Sequence, residues 1–421
     1  MKRAALLLVY IVVAVLVGME VALRLFPAAI PIGLLQHFDP GLRTEIAARI
    51  GMETRKGVQA IQRDDGGPPL YIDAPNAVIA HYDKAVTTGP ASVQMDERGF
   101  CNPPPLAAPP LDVVVLGGSI SWCLDVEPKQ TWAALLGGEL KASVYNLSVK
   151  GIGPYEYLQL LKRFGLALHP RVVLFDVSEE NDMRDVVRYQ RFRAGLGEGD
   201  DAGDGQTVLD GNRQGGLLAS SSYVWNLGTA ALRAWREHRA ERNVKQLFPE
   251  LPPQKSIDYR FVARWGSEQL AFNQDNSNRG QPRYAMALLR GLINLDGYQP
   301  ALAELAKLAR ENGFRAVVVY TPTAGTAYAR SIVYQDPALT DVMARSSDLQ
   351  RREIGRMAGE LGLGFIDLTV PFQDAAERLR ASDALYFLDN MHLSAAGHRV
   401  TAEALAAPVA ALLKQTAAAQ P

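Results

Sequence analysis

The chain has 421 residues, 48% of them hydrophobic and 21% charged, which is the profile of a globular protein with a sizeable core. Its formal net charge is -1 with Lys and Arg scattered along it, so it carries no electrostatic footprint for nucleic acid, and nucleic acid is excluded as the main partner. Two cysteines, Cys101 and Cys123, exclude a disulfide-dense scaffold and any CxxC metal or redox motif, while leaving one disulfide open.

In chain order, Lys2 and Arg3 precede an apolar run from Ala4 to Phe26 broken only by Glu20 and Arg24. About 20 such residues span a bilayer, and the basic end stays inside. Residues 1–30 therefore read as an N-terminal transmembrane helix or signal anchor, single pass with a cytoplasmic N-terminus; "FPAAI" is a weak candidate for a cleavage site. Glu20 and Arg24, at i,i+4, are spaced to pair. Residues 31–110 lack strong periodicity and read as a membrane-proximal stalk closed by "CNPPPLAAPP", since proline lacks the amide donor that helices and central strands need.

From Leu111 the runs "DVVVLGG", "ASVYNLS", "RVVLFDVS", "FRAVVVYTP" and "LGFIDL" read as strands, nearly continuously apolar as buried parallel strands are. Between them "TWAALLGGEL", "PYEYLQLLKRFG", "YQPALAELAKLAREN" and "SSDLQRREIGRMAGEL" carry apolar residues at helical spacing. The fold class is α/β, a three-layer α/β/α sandwich on a parallel sheet over 111–414. Residues 186–297 interrupt the alternation as an inserted cap or loop region. Its Gly/Asp-rich start, residues 195–216, reads as a solvated loop whose carboxylates match no calcium motif. The helix that follows carries Trp225 and Trp235, which are expected to pack in a core.

In an open parallel sheet the functional site lies beyond the carboxyl ends of the strands, and Ser119 stands there, directly after "VVVLGG". Gly117 and Gly118 permit a tight strand-to-helix turn that exposes a side chain and frees backbone amides. Gly-Gly-Ser is also an ordinary turn, so a nucleophilic serine needs a base, and the base an orienting acid. Six histidines limit the search: His37, His81, His169, His238, His392 and His398. In "LDNMHLSAAGH" Asp389 lies three residues before His392, a spacing that one turn of chain closes, and Ser394 is placed to cap the following helix; His398, inside that helix, reads as structural. Two further strand ends offer oxyanion donors, the Gly151 amide after "NLSVKG" and the Asn181 side chain in "EEND". The bland alternatives, a plain turn and a helix cap, stand beside each.

The four features in this order at successive strand ends resemble the SGNH hydrolase family, the GDSL esterases and lipases, over roughly residues 111 to 414. The resemblance implies a flavodoxin-like sandwich, a catalytic set of Ser119, His392 and Asp389, an oxyanion hole of Ser119, Gly151 and Asn181, and no metal or organic cofactor. Two positions depart from the family pattern: Gly118 replaces its acidic residue, and Glu180 stands where a glycine precedes Asn-Asp. The activity implied is that of a membrane-anchored, extracytoplasmic (periplasmic) serine esterase. Its expected partner is a short acyl ester, acetyl above all, with an acetylated envelope glycan as a candidate. An O-acyltransferase using the same residues and a non-catalytic envelope scaffold are the alternatives.

Overall fold

The computed structural model of the chain describes residues 2–35, 38–39, 42, 45–46, 49–50, 58–66, 70–80, 92–179, 181–193, 217–232, 257–273, 281–390 and 392–418, with only the backbone of Asn181 and a few others. Two compact units form: Met1–Gln62 with Gly67–Ile72 and Gly205–Gln246, and Arg63–Gly66 with Asp73–Asp204 and Leu247–Pro421.

The smaller unit contains an N-terminal helix, Lys2–Leu25. The Arg24 Nε donates to Glu20 Oε1 at 2.8 Å, as the i,i+4 spacing predicts. Among the described residues no helix is long and apolar enough to cross a membrane; the side chains of Lys2, Ala4, Ala5 and Leu8 lie outside that description. Ile30, Leu35, Phe38 and Ile46 form a small core with Tyr223 and Ala230. Trp225, expected in a core, is 50% exposed. Trp235 and the Gly/Asp-rich stretch 195–216 lie outside the described residues.

The larger unit is built on a five-stranded parallel sheet of β1 (Val113–Leu116), β2 (Val144–Asn146), β3 (Val172–Ser178), β4 (Arg315–Thr321) and β5 (Gly364–Asp367). All five fall on the runs read as strands. The spatial order is β2-β1-β3-β4-β5, the flavodoxin-type doubly wound order, with its topological switch point between β1 and β3. Alternate residues explain the layering. Val113, Val115, Leu174, Val317 and Val319 join Trp132 and Leu136 of α1 (Trp132–Leu140), Phe372 of α6 (Thr369–Leu379) and Leu405 of α7 (Ala395–Ala418) in one core. Val114, Val173, Phe175, Val318 and Tyr320 are equally buried. On that second face α4 (Tyr298–Asn312) packs against both α2 (Pro154–Leu160) and α5 (Ala338–Glu360), as right-handed crossovers leading away from the switch point require.

The larger unit begins earlier than the sequence suggests. Residues 73–110 belong to it because the proline-rich segment is tied to the sheet. Cys101 is disulfide-bonded to Cys123, with α-carbons 6.2 Å apart. Asn102 Nδ2 donates to Asn146 O at 3.0 Å while its Oδ1 accepts from Asn146 N at 2.8 Å. Part of the interval read as an insertion also has regular structure: Phe261–Trp265 pairs antiparallel with Glu268–Phe272 across Gly266 and with Ile332–Tyr334.

Candidate active site

β1 delivers the chain to Gly117 and Gly118, and the turn closes with Ser121 N and Trp122 N donating to Gly118 O at 3.2 and 3.1 Å. Both glycines are required by crowding. A Cβ at Gly117 would stand 2.7 Å from Ser121 Oγ, and one at Gly118 would stand 2.9 Å from the Tyr157 hydroxyl. That hydroxyl donates to Asp182 at 2.8 Å, so a tyrosine fills the space beside the position where the family pattern has an acid. Beneath the turn lies a buried polar platform. Trp132 Nε1 donates to Ser121 Oγ at 3.1 Å, Ser121 Oγ donates to Asp176, and Thr321 Oγ1 donates to Asp176 at 2.6 Å. Asn146 at the end of β2 adds a donor to Ser121 O at 2.8 Å. Burial pushes the Asp176 carboxyl up to about 6, against the bonds from Ser121 and Thr321. The result is a rigid shelf that presents Ser119, itself only partly buried, at the strand ends.

His392 arrives from the other end of the chain. Its Nε2 lies 3.0 Å from Ser119 Oγ, across 273 residues of sequence. A loop places it there: Phe387 N donates to His392 O at 2.8 Å and Tyr386 bridges Leu393 antiparallel. Ser394 caps α7 as expected, accepting from Ala396 N and Gly397 N at 3.1 and 3.3 Å. Burial lowers the His392 imidazole from 6.5 to about 4, opposed by the Asp125 charge and the bond with Asn390. His398 is structural, since its buried Nδ1 accepts from Trp132 N at 3.1 Å.

The expected Asp389–His392 bond is not made. Asp389 accepts from Asn273 Nδ2 at 2.5 Å, and His392 Nδ1 has no hydrogen-bond partner among the described residues. The i,i+3 argument needs a helical turn, whereas here Phe387 N bonds to His392 O, a closure that a helix does not make. Asn390 instead links the loop to Asp125: its Nδ2 donates to Asp125 Oδ2 at 2.9 Å and its Oδ1 accepts from the His392 backbone N at 3.0 Å. Sequence reasoning missed Asp125, Asn390 and Asp176. Only Asp176 carries a sequence signal, an acid inside the otherwise apolar strand "VVLFDVS".

Gly151 stands in the turn after β2 at φ +75, with open space where a Cβ would be, so backbone conformation rather than crowding calls for glycine. Asn181 opens α3 (Asn181–Arg193) directly beyond β3, with its side chain outside the described residues, as is Glu180. A cavity of about 20 Å³ beside His392 is lined by Ile120, Ser178, Glu179, Thr321, Pro322 and Tyr386 among others. Glu179 is held there by Thr323 N at 2.7 Å and Thr326 Oγ1 at 2.9 Å, and burial raises its carboxyl.

No protein-family model matches the sequence, and no curated protein matches it either. Solved structures similar to it include a catalytic variant of an acetylxylan esterase from Geobacillus stearothermophilus, at 12% identity and TM-score 0.36, covering 72% of this chain and 95% of that one. A lipolytic protein of the G-D-S-L family from Desulfitobacterium hafniense is similar at 11% identity and TM-score 0.33, covering 70% of this chain and 98% of that one. An acetyl xylan esterase, AlAXEase, is similar at 11% identity and TM-score 0.35, covering 71% and 100%. Scores this low carry no argument about this chain.

Proposed function

We propose that this chain is a serine esterase of short acyl, above all acetyl, esters. The observation that carries the reading is the 3.0 Å approach of His392 Nε2 to Ser119 Oγ at the carboxyl ends of a doubly wound sheet. An unprotonated imidazole within hydrogen-bond reach of a hydroxyl is a general base for it. Ser119 Oγ bonds to the ester carbonyl carbon as its proton passes to Nε2. The carbon–alkoxy bond then breaks, the Nε2 proton leaves with the alcohol, and water repeats the sequence on the acyl-serine to release the acid. In this reading the amides of Ser119 and Gly151 with the Asn181 side chain receive the oxyanion, each donor worth about 3–4 kcal/mol. The small cavity beside His392 supports an acetyl group, since about 20 Å³ is room for little more than one water-sized group.

The reading extends to compartment. The Cys101–Cys123 bond supports an oxidising space, and Lys2 and Arg3 ahead of an apolar run support an anchor with the larger unit outside the cytoplasmic membrane. Labelling with a fluorophosphonate probe tests the chemistry: wild type should label at Ser119, and Ser119→Ala and His392→Ala should lose labelling and hydrolysis of nitrophenyl acetate while keeping native circular dichroism. Full hydrolysis by Ser119→Ala refutes it.

A further inference from the structure

Resting on the anchor reading and not on the esterase chemistry, we propose that residues 217–232 form a second membrane contact, seated at the boundary between headgroups and acyl chains of a lipid bilayer. Their sequence, "LLASSSYVWNLGTAAL", holds no charged residue. Residues 223–232 are helical. One face of that helix sends Tyr223 and Ala230 into the small core, with Asn226 buried between them. The opposite face presents Trp225, Gly228, Thr229 and Leu232, all exposed, where a helix facing water carries charge. Thr229 Oγ1 donates to Trp225 O at 2.9 Å, so the one hydroxyl of that face is satisfied by its own helix, as an apolar surrounding requires.

Glu20, the acid that interrupts the N-terminal apolar run, fixes the two helices together. Its carboxylate accepts from Ser222 Oγ at 2.9 Å, Tyr223 N at 3.1 Å and Val224 N at 2.9 Å, capping the first turn of the second helix. Leu16 and Val17 then line a groove of about 520 Å³ with Leu218, Val224, Trp225 and Leu232. From this groove the exposed apolar surface continues along the N-terminal helix to Leu6. It ends in charge at both ends of that helix, at exposed Arg3 and at Glu20 and Arg24, where Arg49 Nη2 donates to Arg24 O at 2.6 Å. A protein partner calls for a polar rim around a compact patch, whereas an apolar band closed by charge at its two ends matches the hydrocarbon slab of a bilayer. Trp225 shares its groove with Glu20, and tryptophan is the side chain that the headgroup level favours.

Cys101 and Cys123 are bonded to each other, so a single introduced cysteine alone takes a nitroxide label. In the full chain reconstituted into vesicles of phosphatidylethanolamine and phosphatidylglycerol, labels at Trp225→Cys and Leu232→Cys should relax more with oxygen, which concentrates in lipid, than with a nickel chelate confined to water. A label at Val370→Cys, exposed on the larger unit, should show the reverse. Trp225→Glu with Leu232→Glu should move a label at Leu218→Cys from oxygen to the chelate, while circular dichroism stays native because both side chains are exposed. Relaxation dominated by the chelate at 225 and 232 overturns the proposal, and a label at Leu16→Cys that still favours oxygen then leaves the anchor reading standing. A chain that stays off the vesicles and sediments as a dimer, which Trp225→Glu dissociates, makes a second copy the occupant of the groove and likewise overturns the proposal.

Discussion

Acidification tests the state of His392 directly. Burial holds its imidazole at about 4 rather than 6.5, so at pH 5.5 the ring is about 97% neutral where an ordinary one is about 9% neutral. With His392 as the base, kcat/KM for an activated acetate ester should therefore stay nearly flat from pH 7 to 5.5 and reach half its plateau only near pH 4. Folding stability sets a separate limit. The folded-state values of His392 and His398, about 4 and about 3, lie below the unfolded value, so the stability they contribute is fully present above pH 6.5 and is lost as the pH falls through those values. Asp176 has the opposite sign. Raised from 3.8 to about 6, it contributes stability below pH 3.8 that is lost as the pH rises through 6. Circular dichroism at each pH separates a titrating base from an unfolding chain. A half-point at pH 6 or above in a chain that is still folded refutes a base held neutral by burial.

Removing the disulfide with Cys101→Ala and Cys123→Ala releases a cross-link across 22 residues and should cost about 3 kcal/mol by the loop-entropy relation, read as a lower urea midpoint; an unchanged midpoint contradicts this. His398→Ala takes away the acceptor for the buried Trp132 amide and should destabilise by roughly 2–3 kcal/mol, with less loss of stability between pH 6.5 and 3 than wild type shows. Across nitrophenyl acetate, butyrate and octanoate, kcat/KM should fall, because each added methylene overfills the cavity beside His392, at a cost of about 1–3 kcal/mol; a steady rise with chain length removes the acetyl assignment.

The five sheet strands were legible because a strand buried on both faces must be a continuous apolar run. The hairpin Phe261–Trp265 and Glu268–Phe272 was not, since its exposed positions hold Arg264, Glu268 and Gln269 and interrupt any such run. Ser119 and His392 were legible by chemistry, as a hydroxyl at a strand end and one of few histidines. Their acid was not. Asp389 sits at a suggestive spacing from His392, but spacing implies contact only in a regular helix, and here Phe387 N bonds to His392 O instead. Asp125 is tied to the His392 backbone amide through Asn390, 265 residues away from it, by a side chain that no pattern singles out.

The crowding at Gly118 constrains how this chain can change. A side chain there meets the Tyr157 hydroxyl at 2.9 Å, so an acid at this position requires Tyr157 to yield first. Yet Tyr157→Phe alone strips a donor from buried Asp182, at about 1–3 kcal/mol. Each single step therefore carries its own cost, and the two positions are coupled through the Tyr157 hydroxyl. A library that varies position 118 alone is thus expected to return glycine, because any larger side chain there has to displace a buried tyrosine.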